Sequence, residues 1–217
     1  MTHTAFEMHP GTESLPAMPS LTQLFGGCTL TVVQQPLRAR MCGFGDKDRR
    51  PCTPPPIVRL SFNSAVNIEE LDTSFFIVIA DLWSPDTTTE LNLVVHPSAP
   101  GGDNGSTTSC TRNLVGSLVA SASKLYDIDG KLGVFFVFQD LSVRTEGQFR
   151  LKFSFANLAC SPVSQVESEV FSEPFTVFSA KRFPGMIEST PLSRCFAKQG
   201  VKIPVRKDAN RGGRSDD

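Results

Sequence analysis

The sequence predicts an all-β protein, an antiparallel β-sandwich with one short helix near its C-terminus. Three observations point there. Short apolar stretches with a two-residue period recur along the chain, separated by clusters of Gly, Pro, Asp and Asn, as strands and hairpin turns require. Phenylalanine is abundant, with 17 copies against one Trp and one Tyr, and aromatic rings suit a pleated, half-buried surface. Convincing helix start and stop signals occur together once, after residue 189.

Taken in order, residues 1–24 are rich in Pro, Ser, Thr and Met without sustained periodicity and read as a flexible N-terminal arm, with at most a short helical turn around Leu21 to Phe25. Cys28 to Gln35 and Ile57 to Phe62 read as strands, the second alternating Val58, Leu60 and Phe62 with Arg59 and Ser61; a long basic loop joins them. The apolar run Phe75 to Leu82 suits a strand buried on both faces. Leu91, Leu93 and Val95 alternate as a further strand. Residues 97–111 lack apolar periodicity and read as an exposed connection, and Asn113 to Leu125 offers a weaker strand. Asp129-Gly130 signals a tight hairpin before Val134 to Phe138, and Glu146-Gly147 does the same before Phe149 to Phe155. In that last strand Phe149, Leu151, Phe153 and Phe155 face one way, and Arg150, Lys152 and Ser154 face a wet side. Val170 to Phe178 supplies another strand, where Pro174 implies an edge or a bulge. The helix spans about Pro191 to Gln199, with Thr190 as cap, Pro191 at its first position and Gly200 as terminator; Leu192, Cys195 and Phe196 form its apolar stripe, leaving Arg194 and Lys198 exposed one turn apart.

A chain of 217 residues suffices for one sandwich domain. Its longest apolar run, Phe75 to Ala80, is far too short to cross a bilayer, and Met1 to Ser14 is polar, so neither a membrane span nor a secretory signal is expected and the chain reads as intracellular. Six cysteines (Cys28, Cys42, Cys52, Cys110, Cys160 and Cys195) include no C-x-x-C pair, which argues for buried or free thiols over a zinc site. The net charge of −1 hides a strong asymmetry: residues 36–60 carry +4 and 181–207 carry +6, whereas 61–180 carry −8. Should the two basic segments meet in space, they form a local field suited to a polyanion.

The front basic segment concentrates Arg38, Arg40, Lys47, Arg49 and Arg50 with Gly43, Gly45, Pro36 and Pro51. Guanidinium forks bind phosphate or guanine edges in bidentate fashion, and glycines let backbone N–H groups approach a phosphate. A solvated loop neutralised by Asp46 and Asp48 fits the composition equally well. The run Arg38 to Pro56, ending Pro51-Cys52-Thr53-Pro54-Pro55-Pro56, resembles the signature of the velvet domain. A second block, Phe178-Ser179-Ala180-Lys181-Arg182-Phe183-Pro184-Gly185-Met186 with Glu188 to Ser193 and Phe196 to Gly200, resembles the C-terminal portion of that family. The likeness covers about Cys28 to Lys207, and the corresponding division of the chain is an arm (1–24), a velvet domain (25–207) and a flexible C-terminal tail (208–217).

The resemblance implies a nuclear and cytoplasmic fungal regulator of development, sporulation and secondary metabolism, with an immunoglobulin-like sandwich similar to the Rel homology domain. It implies double-stranded DNA as one partner, contacted through loops, and another velvet protein or a second copy as the other. Arg38-x-Arg40-Met41-x-Gly43 is also similar to the Rel recognition loop. By this analogy Arg38, Arg40, Lys47, Arg49 and Arg50 are the first candidates for DNA contact, and Lys181, Arg182, Lys198, Lys202, Arg206 and Lys207 the second. Against that, Lys181 and Arg182 are also suited merely to flank a packed turn, and the tail lysines to be solvated. Within the family, the lack of a long insertion inside the domain and of a long C-terminal extension implies a likeness to the spore-viability member or its near relative. An enzyme is not expected: His3, His9 and His96 belong to no catalytic, metal or phosphate motif, Gly43-Phe44-Gly45 is too short for a dinucleotide fingerprint, and Asp127 to Gly130 reads as a hairpin turn and not a calcium loop. No cofactor, metal, membrane or small-molecule substrate is implied. Cys42 is the one candidate for redox sensitivity, if neighbouring arginines depress its pKa; an inert loop thiol is the alternative. The rival to DNA binding is a pure interaction module whose basic stretches serve import or partner docking.

Overall fold

The computed structural model describes residues 26–45, 49–96, 109–159 and 166–206. Two sheets face each other. The first is four-stranded and antiparallel, in the order β1 (Cys28–Gln34), β3 (Ile57–Phe62), β10 (Leu132–Val137), β9 (Ser123–Tyr126). The second runs β2 (Arg38–Arg40), β14 (Phe175–Phe178), β12 (Gly147–Asn157), β4 (Phe76–Trp83), β8 (Val119–Ser121), with β13 (Val166–Phe171) also paired to β12. Two short ribbons, β5 (Leu93–Val95) with β6 (Cys110–Arg112) and β7 (Leu114–Val115) with β11 (Ser142–Val143), complete the strands among the described residues.

Alternation dictates what the sheets bury. Leu30, Val58, Leu60, Val134 and Phe136 from the first meet Phe76, Val78, Leu82, Leu151, Phe153 and Phe155 from the second, all nearly inaccessible to water. Rings interlock across this core, with Phe138 5.0 Å from Phe153 and Phe136 6.0 Å from Phe155. Each fully buried ring contributes about 1.5–3 kcal/mol. The helix α1 (Pro191–Lys198) lies on the outer face of the first sheet, where Phe196 meets Phe135, Ile57, Leu125 and Ile203 in a second core. That cover explains why Gly133 to Phe136 are buried on both faces. The Thr190 side chain accepts from the Ser193 N–H as the helix cap, and Gly200 takes φ +95° just beyond the end.

Several elements differ from the sequence reading. β4 is buried on one face only: Ile77, Ile79 and Asp81 are half-exposed and Phe75 is outside the strand. Val170 to Phe178 is not one strand. The chain breaks at Ser172, whose hydroxyl and N–H both engage the Leu151 backbone, so that β13 and β14 pair in turn with the same edge of β12. Asn113 to Leu125 splits into β7, β8 and β9, which serve three different sheets. On the outer face of β12, Lys152 is paired with Glu169 at 2.8 Å and sits over Trp83, so that side is an ionic layer more than a wet one. Arg194 turns to Glu188 and the Ser189 carbonyl.

Candidate nucleic-acid interface

The loop between β1 and β3 contains a strand that its polar sequence conceals. Arg38, Ala39 and Arg40 run parallel to β14, opposite Thr176, Val177 and Phe178. Ala39 is fully buried, so the period of two turns Arg38 and Arg40 to the outer face, both half-exposed. The Thr53 backbone brackets the other edge, donating to Arg38 O at 2.8 Å and accepting from Arg38 N at 3.1 Å. Beyond β2 the Met41 N–H reaches Phe178 O (2.8 Å), Cys42 reaches Val143 O (3.0 Å) and Gly43 reaches Arg144 O (3.1 Å). The loop is thus fastened along one rim of the sandwich.

β14 ends at that rim. Past it the chain makes a turn in which the Arg182 and Phe183 N–H groups both donate to Ser179 O at 3.1 Å. Lys181 and Arg182 therefore project, exposed, one turn beyond the residue that faces Arg40. Arg182 is 72% exposed and pairs with Glu146 at 2.7 Å, and Arg49 pairs with Asp140 at 3.2 Å. Exposed pairs of this kind contribute only about 0–1 kcal/mol, so a phosphate can displace either carboxylate at small cost. The Arg50 carbonyl accepts from the Ser142 hydroxyl at 3.0 Å, which fixes the backbone at that point of the loop.

Not every predicted residue gathers here. Arg206 pairs its backbone with Ser189 beside a small cavity whose other wall is Pro51 to Pro55, so it stands near the exit of the basic loop. Lys202 lines a groove against Ser117, Ser121 and Gln139 at the open edge of the sandwich. Lys198 ends α1, next to Gln199, whose amide holds Tyr126 at the opposite end of the first sheet. Lys47 and Lys207 lie outside the described residues.

Cys42 departs from the redox expectation. Burial raises its thiol pKa and outweighs the lowering pull of Arg144 and Arg49, so the arginines do not activate it. Two basic residues at this rim escaped the sequence reading. Arg144, half-buried after β11, donates to Gly43 O at 2.8 Å and to Arg112 O at 2.9 Å, and lies 5.9 Å over the Phe44 ring. Arg112, exposed, ends β6 on the ribbon beside it. Each is a lone arginine in the acidic middle of the sequence, and only the pairing of distant strands brings it to the loop.

A family model described as Velvet factor matches residues 28–109 and 97–209. Among curated proteins, the chain is similar to velvet complex subunits of three fungi. It is 40% identical to one from Emericella nidulans, over 85% of this chain and 79% of that protein. It is 40% identical to one from Aspergillus flavus, covering 86% and 80%, and 38% identical to the velvet complex protein RYP3 of Ajellomyces capsulatus, covering 93% and 86%. The first of these alignments extends over 292 positions, more than the 217 residues here, so that relative carries inserted residues. The two family matches overlap at 97–109, the connection between β5 and β6. None of these three relatives bears the name of the spore-viability type.

Proposed function

This chain belongs to the velvet family, and we propose that it acts there as a DNA-binding regulator of fungal development, sporulation and secondary metabolism, working in the nucleus as a homodimer or with another velvet chain. The observation that carries the reading is the parallel register of β2 on β14, which sets Arg38 and Arg40 beside the turn bearing Lys181 and Arg182. Two segments some 140 residues apart in sequence thereby form one basic rim. Phosphate contacts supply affinity and register, and a few arginines reach base edges in the groove. Two weak half-site affinities combine in a dimer, which suits a face with this few cations.

The test is the double variant Arg38→Ala, Arg40→Ala. Ala39 and the backbone ladder remain, so the fold survives. For a bound promoter-length duplex, log K against log salt should lose about 0.9 in slope for each phosphate contact removed. An unchanged affinity and slope refutes the loop assignment.

A second reading has its own support, since the relatives are named as subunits of a velvet complex. In it the sandwich pairs with another velvet protein without touching DNA. Sedimentation of the chain alone and with a second velvet protein tests pairing, and a persistent monomer in both removes it. Pairing without any duplex binding favours this second reading.

A further inference from the structure

We propose that Arg144 is a positioning residue for the basic loop, one that sets the loop's shape through backbone carbonyls and an aromatic ring and does not itself meet the polyanion. The proposal rests on the DNA-binding reading for its consequence, though its geometry stands independently.

Arg144 encircles Gly43. Its carbonyl accepts the Gly43 N–H at 3.1 Å, while its Nη1 donates to the Gly43 carbonyl at 2.8 Å. Gly43 has φ +64°, the left-handed region in which a single residue reverses the chain. A turn of that kind is mobile unless both of its polar groups are held, and here one residue holds both. The same guanidinium donates through Nε to Arg112 O at 2.9 Å. It thereby ties the basic loop to the β5–β6 ribbon. Phe44 is clasped between Arg144, 5.9 Å above the ring, and His96, 5.0 Å away edge to face, and His96 follows β5 in that ribbon.

Arg144's own backbone is equally anchored: its N–H donates to Asn113 O at 2.9 Å, and the next residue, Thr145, donates twice to the Asn113 side chain. The loop is therefore registered against a rigid corner. Among the described residues the contacts of this guanidinium are carbonyl oxygens and a ring, with no carboxylate. That distinguishes it from Arg49 and Arg182, which pair with acids and stay exposed. Two of its five N–H groups, one on Nε and one on Nη1, are engaged by carbonyls inside the protein, and the planar fork is what allows two carbonyls and a ring to be served at once. A lysine keeps the charge but cannot reproduce that geometry.

Positioning and phosphate contact predict different signatures. The full chain and its Arg144→Lys and Arg144→Ala variants are compared by amide hydrogen exchange across residues 41–45, and by binding to a duplex selected from random sequence and to an unrelated duplex of equal length. We expect both variants to exchange these amides about tenfold or more faster. We also expect both to lose about tenfold in affinity for the selected duplex, while affinity for the unrelated duplex stays within about twofold. Rescue of exchange and binding by lysine overturns the proposal, since charge alone then suffices. So does a uniform loss on both duplexes in which the salt slope falls by about 0.9. If the unaltered chain binds neither duplex, the DNA reading fails by itself; faster exchange in Arg144→Lys then upholds the positioning role, and unchanged exchange refutes it. Should either Arg144 variant melt far below the parent, Phe44→Ala decides, because it removes the ring from beneath the guanidinium without touching the backbone bonds. Faster exchange at 41–45 supports the clasp, and unaltered exchange overturns it.

Discussion

Phe196→Ala tests whether the terminal helix is part of the fold or an ornament on it. The ring is fully buried, 4.8 Å from Phe135 and inclined at 62°, and packs with Ile57, Leu125 and Ile203 apart from the central core. Truncating a buried phenylalanine costs about 3–5 kcal/mol, of which the aromatic pair accounts for about 0.5–1.5. The lower end applies here, because α1 has a second tether. The Gln34 amide donates to Ser193 Oγ at 2.8 Å and to Pro55 O at 2.7 Å, and the Thr190 hydroxyl donates back to Gln34 Oε1. These bonds survive the substitution and contribute about 1 kcal/mol each. The expected loss is therefore about 3 kcal/mol. At a urea m-value of about 2–3 kcal/mol/M, the midpoint falls by about 1–1.5 M with m unchanged. A shift under about 0.3 M would show that α1 does not stabilise the sandwich, and the account of why the first sheet is apolar on both faces would be wrong.

Two further outcomes follow from local geometry. Gly116 has φ +109°, and a Cβ there would be driven into the Asp140 carbonyl oxygen. Gly116→Ala should cost about 2 kcal/mol or more, about 4–8 °C in melting temperature for a chain of this size, and should displace the carboxylate that holds Arg49. Among the thiols, burial raises Cys52 to about 12, and burial together with Glu167 raises Cys28 to about 11. Because these folded-state values lie above the ordinary 9.0, the stability they carry is present below pH 9 and is lost as pH rises through the window up to 11 or 12. Above pH 9 an unfolded thiol has given up a proton that the folded one keeps, and for Cys52 the loss is about 1.4 kcal/mol per pH unit. Urea titrations between pH 8 and 10.5 should show the decline, and Cys52→Ala should flatten it. Mass-resolved alkylation at pH 8 should modify the exposed Cys110 well before Cys28 or Cys52; the reverse order would contradict the burial assigned here.

What was legible in the sequence is what short-range chemistry specifies. Ile57–Phe62 alternates cleanly and is the strand expected, residue for residue. Asp129-Gly130 closes a hairpin in which Asp127 Oδ1 accepts from the Asp129 and Lys131 N–H groups, as an Asx-type turn does. Thr190, Pro191 and Gly200 mark the helix because capping is a local transaction among neighbouring backbone groups. The pieces that escaped depend on a distant partner. Arg38-Ala39-Arg40 has no apolar pattern beyond one alanine, and it becomes a strand only because β14, far along the chain, offers a parallel edge. β4 appears doubly apolar in sequence, yet its outer face is only partly covered. Arg144 and Arg112 sit in a net acidic stretch, and nothing local marks them as neighbours of the loop. For the same reason the candidate site was half visible: its cations could be named, but which of them share a rim required the register of β2 and the turn after β14.

The acidic middle of the sequence bears on whether a chain of net charge −1 can attract a polyanion at all. Glu69, Glu70 and Asp72 lie in the loop joining the end of β3 to the start of β4, and Asp127 and Asp129 lie in the β9–β10 hairpin. Both connections are at the end of the first sheet opposite Ile57 and Val137, where the chain leads to Asp140 and the basic rim. A strand of six residues separates the two ends, about 20 Å at 3.3 Å per residue. The Debye length in physiological salt is about 8 Å, so the far acids are more than two screening lengths away and scarcely weaken the field at the rim. Nearby acids matter more, and among the described residues Asp140 and Glu146 at the rim are each already paired with an arginine. Reversing Glu69 and Glu70 to lysine should therefore leave duplex affinity at about 0.15 M salt within about twofold, while Glu146→Gln, which frees Arg182, should raise it. If the distant reversal raises affinity as much as the near one, the whole molecule's charge governs binding, and a rim built by strand register does not.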